Sequence, residues 1–501
     1  MHAGESYIHA TTINSFPDNV LLDIFDFCRK KQDLSRYRLQ RIWDWHILAH
    51  ICSRWRRIIF SSPRRLDLQL HCTYGTPVRK NLGYWPPLPL VIDYSSYQGA
   101  DDSKSLTTRD EDNIVAALED SDRVLYVGIS VTSSLLGKMA VETQKPCLGL
   151  THLWLTSKEE DVPALPDRFL GGYAPSLRVA RLEGIGFPAL PTLLSSALGL
   201  VDLRILNIPH NGYISPEAVV TSLAALTGLR TLLIGFKSPT RPPCTRSQDP
   251  IRRTTLPSLT TFGFHGTAEY LEDLVSQIDT PQLGYFRISY FNQLNFHVPK
   301  LSNFISRTRS LYLARFKRAR IDFGSNYVYV SLYYEQEGLL DESHFSLQIS
   351  CRGLDWQVSH VAQILVQSGA MLSNVDDLAI DARDSDMPPG GTDFMDDAEW
   401  LDLLYQFTAI ETLHVSEKLA GHVARGLEGI TGPMAAEMLP ALRSLCLEGE
   451  SLASVGRFVA ARRLSDLPVT IVGEPGETFE RCESPSELEY VSYPPSPESM
   501  I

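Results

Sequence analysis

Apolar positions recur along this chain in two rhythms. The first is helical. Val20, Leu21, Ile24, Phe25 and Cys28 step by one, three and four, and Pro17 stands just ahead of them, where a first turn tolerates its missing N–H. Leu48, Ile51, Cys52, Trp55, Ile58 and Ile59 repeat the spacing, so a second helix is expected from Trp45 to Phe60, stopped by Pro63. Residues 1–14 read as a loose arm, 15–62 as a helical segment and 63–110 as a linker with the first strands. Within this linker RRLDLQLHC alternates like a strand, and GYWPPLPLVIDY is proline-punctuated before an apolar run.

The second rhythm dominates from 111 to 473. Its unit is an apolar residue, two others, an apolar residue, one other and a third apolar residue. Copies stand at Val124/Val127/Ile129, Leu150/Leu153/Leu155, Leu200/Leu203/Ile205, Leu229/Leu232/Ile234, Leu259/Phe262/Phe264 and Leu283/Phe286/Ile288. Others stand at Val375/Leu378/Ile380, Ile410/Leu413/Val415 and Leu442/Leu445/Leu447. Degenerate copies are Leu177/Ala180/Leu182 and one centred on Leu311 and Leu313. From 127 to 311 the middle positions are 23 to 30 residues apart. That is close to the period of leucine-rich repeats, each a short strand followed by a helix or turn. Such a unit buries its apolar face only against its neighbours, which predicts an irregular leucine-rich-repeat-like α/β solenoid. The stretches PALPTLLSSAL, SPEAVVTSLAAL and AEYLEDLVSQI fill the gaps as helices. The asparagine of the regular repeat is mostly missing, and only Asn207 falls near its place.

Between 315 and 375 the rhythm changes, and VYVSLYY and FSLQISC look like consecutive strands. Residues 237–253 read as a proline- and arginine-rich insertion, 381–399 as an acidic solvated loop. Residues 474–501 hold seven glutamates against one arginine and read as a disordered tail.

Composition narrows the function. A formal net charge of -13 argues against a general nucleic-acid binder, which needs a positive footprint. Residues 29–65 nevertheless hold eleven Lys or Arg against two Asp, which fits either a solvated helix face or an acidic partner. No apolar run reaches the roughly 18 residues of a membrane span. The eight cysteines are scattered without metal-ligand spacing, as expected of free thiols in a cytoplasmic or nuclear protein. No nucleophile elbow, phosphate loop, zinc helix or dinucleotide fingerprint occurs, so neither an enzyme nor any cofactor or metal is expected.

Phe16-Pro17-Asp18-x-x-Leu21-Leu22-x-Ile24-Phe25, with His50-Ile51-Cys52-Ser53-Arg54-Trp55-Arg56-Arg57-Ile58, resembles an F-box. The adjoining SSPRRLDLQLHCTYGTPVRKNLGYWPPLPLVIDY is similar to the stretch after the F-box in a large family of mushroom-forming fungi. The resemblance implies an adaptor of a cullin–RING ubiquitin ligase, docking on a Skp-type linker and presenting a protein substrate. Phe16, Pro17, Leu21, Leu22, Ile24, Leu48, Ile51, Cys52, Trp55 and Ile58 would then face the linker. The alternatives are that these side chains pack on the first repeat, and that the chain is an interaction scaffold without a ubiquitin role.

For the substrate, strand alternation places Trp154, Lys158, Arg181, Arg204, Thr231, Leu233, Thr261, Gly263, Tyr285 and Arg287 on the side away from the apolar triplets. Arginines beside aromatics suit an acidic or phosphorylated peptide, unless the face is ordinary surface.

Overall fold

A computed structural model of the chain describes residues 13–32, 45–95, 106–159, 163–239, 253–312, 316–334, 344–367, 369–383, 397–430, 434–447 and 455–472. The arm up to 12, residues 33–44 of the basic stretch, 240–252, 384–396 and the tail from 473 lie outside the described residues. The chain divides into two compact units, Met1–Lys237 and Ser238–Ile501.

The first unit opens with three helices, α1 (Asp18–Gln32), α2 (Trp45–Ile51) and α3 (Ser53–Ser61). The single helix expected over 45–60 is thus two. The break is Cys52, whose extended backbone (φ -157°, ψ 167°) ends α2 and whose Sγ accepts from the Trp55 N–H to cap α3. Seven parallel strands then follow in consecutive order: β1 (Leu70–Cys72), β2 (Leu90–Tyr94), β3 (Val124–Ser130), β4 (His152–Thr156), β5 (Val179–Glu183), β6 (Asp202–Ile208) and β7 (Thr231–Phe236). The apolar triplets define their register. Val127, Leu153, Ala180, Leu203 and Leu232 form one row, and Ile129, Leu155, Leu182, Ile205 and Ile234 the next. All ten are buried on the helix-covered side. The leading leucine of each triplet closes a tight turn: Leu150, Leu177, Leu200 and Leu229 each donate to the carbonyl three residues back.

A second regularity ties each repeat to its predecessor. Two successive N–H groups at a strand's start donate to one carbonyl of the strand before: Arg178 and Val179 to Thr151, Val201 and Asp202 to Arg178, Arg230 and Thr231 to Val201. Helices between strands begin on side-chain caps from Thr107, Thr132 and Ser215. Asn207 adopts a positive φ of 51°, at a register shift in β6, and its amide donates to Glu183 Oε1 at 3.2 Å.

The second unit has a small parallel pair, β8 (Thr254–Thr255) with β10 (Ile278–Asp279), and a larger set of strands. These are β9 (Thr261–Gly266), β11 (Tyr285–Tyr290), β12 (Arg318–Phe323), β13 (Tyr327–Tyr333), β14 (Phe345–Ser350), β15 (Asp377–Ala382), β16 (Thr412–Val415), β17 (Ser444–Leu447) and β18 (Thr470–Val472). Their spatial order is β9-β11-β14-β13-β12-β15-β16-β17-β18. The consecutive strands anticipated after 315 are present, with β13 antiparallel to both neighbours while the rest are parallel. The repeat centred on Leu311 is not a strand: Arg309–Tyr312 is a helical turn, and Leu313 lies outside the described residues. Leu311 is still buried, so its apolar character reflects packing.

The core here is aromatic. Phe262 stacks on Phe286 at 5.2 Å, Phe286 meets Phe304 and Phe345, and Trp400 packs on Phe323 at 5.5 Å. Two buried charges serve the backbone. Glu272 accepts from the N–H groups of Lys300 and Leu301 and caps the helix Pro299–Arg307. Arg462, 1% exposed, donates to the carbonyls of Ala435, Met438, Leu439 and Leu442, and so satisfies its own buried guanidinium with backbone acceptors.

Candidate functional site

Two surfaces of the first unit bring the selected residues together. The first is the helical trio. α1 and α3 are pinned by Arg54, whose guanidinium donates to Asp18 Oδ1 (2.6 and 2.9 Å) and to the Phe16 carbonyl (2.6 Å). Trp55 packs on Phe25 with ring centroids 4.9 Å apart, and Trp45 donates to the Gln69 carbonyl at 2.9 Å. The ten residues expected at a partner surface therefore separate. Leu21, Trp55 and Ile58 are interior, at 0%, 6% and 4% exposure, and hold the helices together. Leu22, Ile24, Leu48 and Cys52 are half-buried, and Phe16, Pro17 and Ile51 are exposed.

Sequence reasoning missed two exposed apolar side chains, Phe27 and Ile47. Ile47 and Ile51 are one helical turn apart on α2, while Trp45 and Ala49, also one turn apart, are its buried pair. That two-faced spacing is the signal that would have found Ile47. Arg56 and Arg57 on α3 are exposed and basic.

The second surface is the helix-free side of the strands. Gly128, Trp154, Arg181, Arg204 and Leu233 occupy one row across β3 to β7. The Arg181 guanidinium lies over the Trp154 ring, 5.6 Å from its centroid. Arg181 Nη2 pairs with Asp202 Oδ2 at 3.0 Å, and Arg204 Nε with Asp202 Oδ1 at 2.9 Å. Arg204 is buried, at 7% exposure. The stripe is therefore not a row of free arginines. Asp202, two residues before Arg204 on the same strand face, shares its carboxylate between both, and this spacing was visible in the sequence. An acidic or phosphorylated ligand would have to compete with Asp202.

Tyr126 was also missed. Its ring lies across Gly128, where a Cβ would come within 2.7 Å of ring atoms, so glycine makes the placement possible. Burial and then the neighbouring Asp93 carboxylate push the Tyr126 hydroxyl well above its ordinary value. Asp93 is itself raised by burial, against hydrogen bonds from Ser95. The hydroxyl of Tyr126 and Nε of Arg181 are shielded from solvent, and neither has a hydrogen-bond partner among the described residues. Both groups are closed to solvent, so what the row offers a ligand is the Trp154 indole under the Arg181 guanidinium.

Tyr285 and Arg287 belong to the second unit. Tyr285 stacks on His344 at 4.9 Å, and Arg287 pairs in register with Gly263 and Ser346. The same side of this unit is built around Asp322, fully buried, which accepts from Arg320 Nε and Arg383 Nη2 at 2.9 Å each. Arg320 also reaches Asp381 at 3.0 Å, and Arg383 lies over Tyr329 at 5.3 Å. Burial alone would lower the Arg320 pKa; Asp322 and Asp381 outweigh it and hold the group above its usual value.

Among the described residues no three His, Cys, Asp or Glu side chains gather to hold a metal, and no described helix is long and apolar enough to cross a membrane. No family model matches the chain, and no curated protein matches it. Among solved structures, the leucine-rich repeat-containing protein LegL7 from Legionella pneumophila is similar over 78% of this chain and 97% of its own. The identity is 9% and the TM-score 0.25.

Proposed function

We propose that this chain is a protein-binding repeat scaffold that acts as a substrate adaptor of a cullin–RING ubiquitin ligase. Its helical trio docks on a Skp-type linker, and the helix-free face of the first unit holds a segment of the substrate. The observation that carries the reading is the division of labour within the trio. Leu21, Phe25, Trp55 and Ile58 make a small core, while Phe16, Phe27, Ile47 and Ile51 stay outside it, at 38–66% exposure. Apolar side chains left over from so small a bundle mark an interaction surface. The basic Arg56 and Arg57 beside them suit an acidic partner. The substrate reading draws on Trp154 and Arg181, a half-buried indole with a guanidinium over its ring on the helix-free face.

The test is co-purification of a Skp-type linker with the full chain. Ile47→Asp with Ile51→Asp should abolish it while leaving the thermal unfolding curve in place. Trp55→Ala should instead cost about 3–5 kcal/mol of stability, because it opens the trio's core. Retention of the linker by the folded double variant would refute the docking reading.

A further inference from the structure

The strand order of the second unit departs from the order of the chain at β11 and β14, which pair in parallel although β12 and β13 lie between them in sequence. Crevices in parallel sheets form beyond the carboxyl ends of strands where such a departure occurs. Here the residues after β11, the β12–β13 turn and the residues after β14 enclose an open pocket of about 470 Å³. Asn292, Leu294, Asn326, Cys351, Arg352 and Trp356 line it.

Two properties distinguish it from an ordinary surface hollow. Leu294 is 78% exposed and Trp356 50%, so two large apolar side chains stand in water at one site. Arg352 is oriented by a 3.0 Å hydrogen bond from Nε to Asn326 Oδ1, a neutral partner, and makes no ion pair among the described residues. This contrasts with Arg320 and Arg383, which are neutralised within the same unit. The carboxylate of the adjoining turn, Asp355, lies against Gly353. Burial and then the Asp355 carboxylate push the Cys351 thiol up to about 11, so the thiol itself adds no charge.

We propose that this pocket docks an extended acidic peptide, with an apolar side chain between Leu294 and Trp356 and a neighbouring carboxylate on Arg352. The apolar anchor supplies affinity, and the charge-assisted bond to the guanidinium selects the sequence around it. This does not depend on linker docking, so an Ile47→Asp, Ile51→Asp chain should bind the same peptide.

The test titrates the full chain into a fluorescein-labelled pentapeptide with a central phenylalanine flanked by aspartate and glutamate. A lysine-flanked counterpart serves as control, and anisotropy reads both. The acidic probe should bind at least about tenfold more tightly than the lysine probe. Trp356→Ala should weaken it about tenfold or more, and Arg352→Glu should reverse the preference between probes. Both side chains are exposed, so far-UV circular dichroism should not change; Leu294→Ser gives a further folded variant with the same expected loss. Absence of binding by the unaltered chain, or equal affinity in all three variants, would overturn the proposal.

Discussion

The helix-free faces of the two units use the same components to different ends. In the first, Asp202 sits between Arg181 and Arg204 at 15% side-chain exposure, and Trp154 lies beside them half-buried under the Arg181 guanidinium. In the second, Asp322 likewise gives both oxygens to arginines but has no exposure, and one of those arginines is further held by Asp381. A buried acid whose partners are complete is a structural rivet, because removing any member strands a charge. A half-buried acid still in reach of solvent is better placed to exchange a partner for a ligand. The same strand-to-strand periodicity therefore yields stability in one unit and a candidate binding row in the other.

The comparison breaks most sharply at Asp322. Asp322→Ala removes the fully buried carboxylate shared by Arg320 and Arg383, leaving Arg320 with Asp381 alone. The expected loss is about 3–5 kcal/mol, read as a shift of the urea midpoint of the second unit. Asp202→Ala should cost about 1–2 kcal/mol, since its carboxylate is closer to solvent. If the two losses are equal, the two faces are built alike and the distinction between them fails. Trp154→Ala is expected to sharpen it further. The indole is half-buried, so stability should change by about 1 kcal/mol or less, while partners captured by the chain are lost.

Much of the fold was legible in the sequence because the repeat writes its core at fixed spacing. Val127, Leu153, Ala180, Leu203 and Leu232 were assignable as one buried row, and even the degenerate alanine kept its place. The alternation of Tyr327–Tyr333 likewise foretold an extra strand, though not that it runs antiparallel. Leu311 misled because a buried helical turn and a repeat strand want the same residue type there. The candidate sites were legible only as positions. The outward stations of Trp154, Arg181 and Arg204 follow from the pleat, but Asp202's sharing of both arginines depends on side-chain reach between strands. Trp55 was identifiable as an anchor but not as an interior one, since helical spacing cannot say which partner a face meets. The pocket around Trp356 was invisible, because its walls come from residues 292–294, 326, 350–352 and 356.

The smallest effect concerns Glu183, two residues beyond Arg181 on β5. Burial raises its carboxyl above the usual carboxylate range, while the Asn207 amide and Lys158 pull the other way. The folded chain therefore holds this proton more tightly than the unfolded chain does. Its ionised form costs stability at neutral pH, and that cost fades as pH falls through the raised folded value, vanishing below the unfolded one. Glu183→Gln keeps an acceptor for Asn207 Nδ2 and removes the charge. The variant should unfold at a higher urea midpoint than the unaltered chain near pH 7, with the gap narrowing as the buffer is taken toward pH 4. A gap independent of pH would mean that the carboxylate is as well solvated in the folded chain as in the unfolded one. That end of β5 would then be open surface, and the contrast with Asp322 would rest on Asp202 alone.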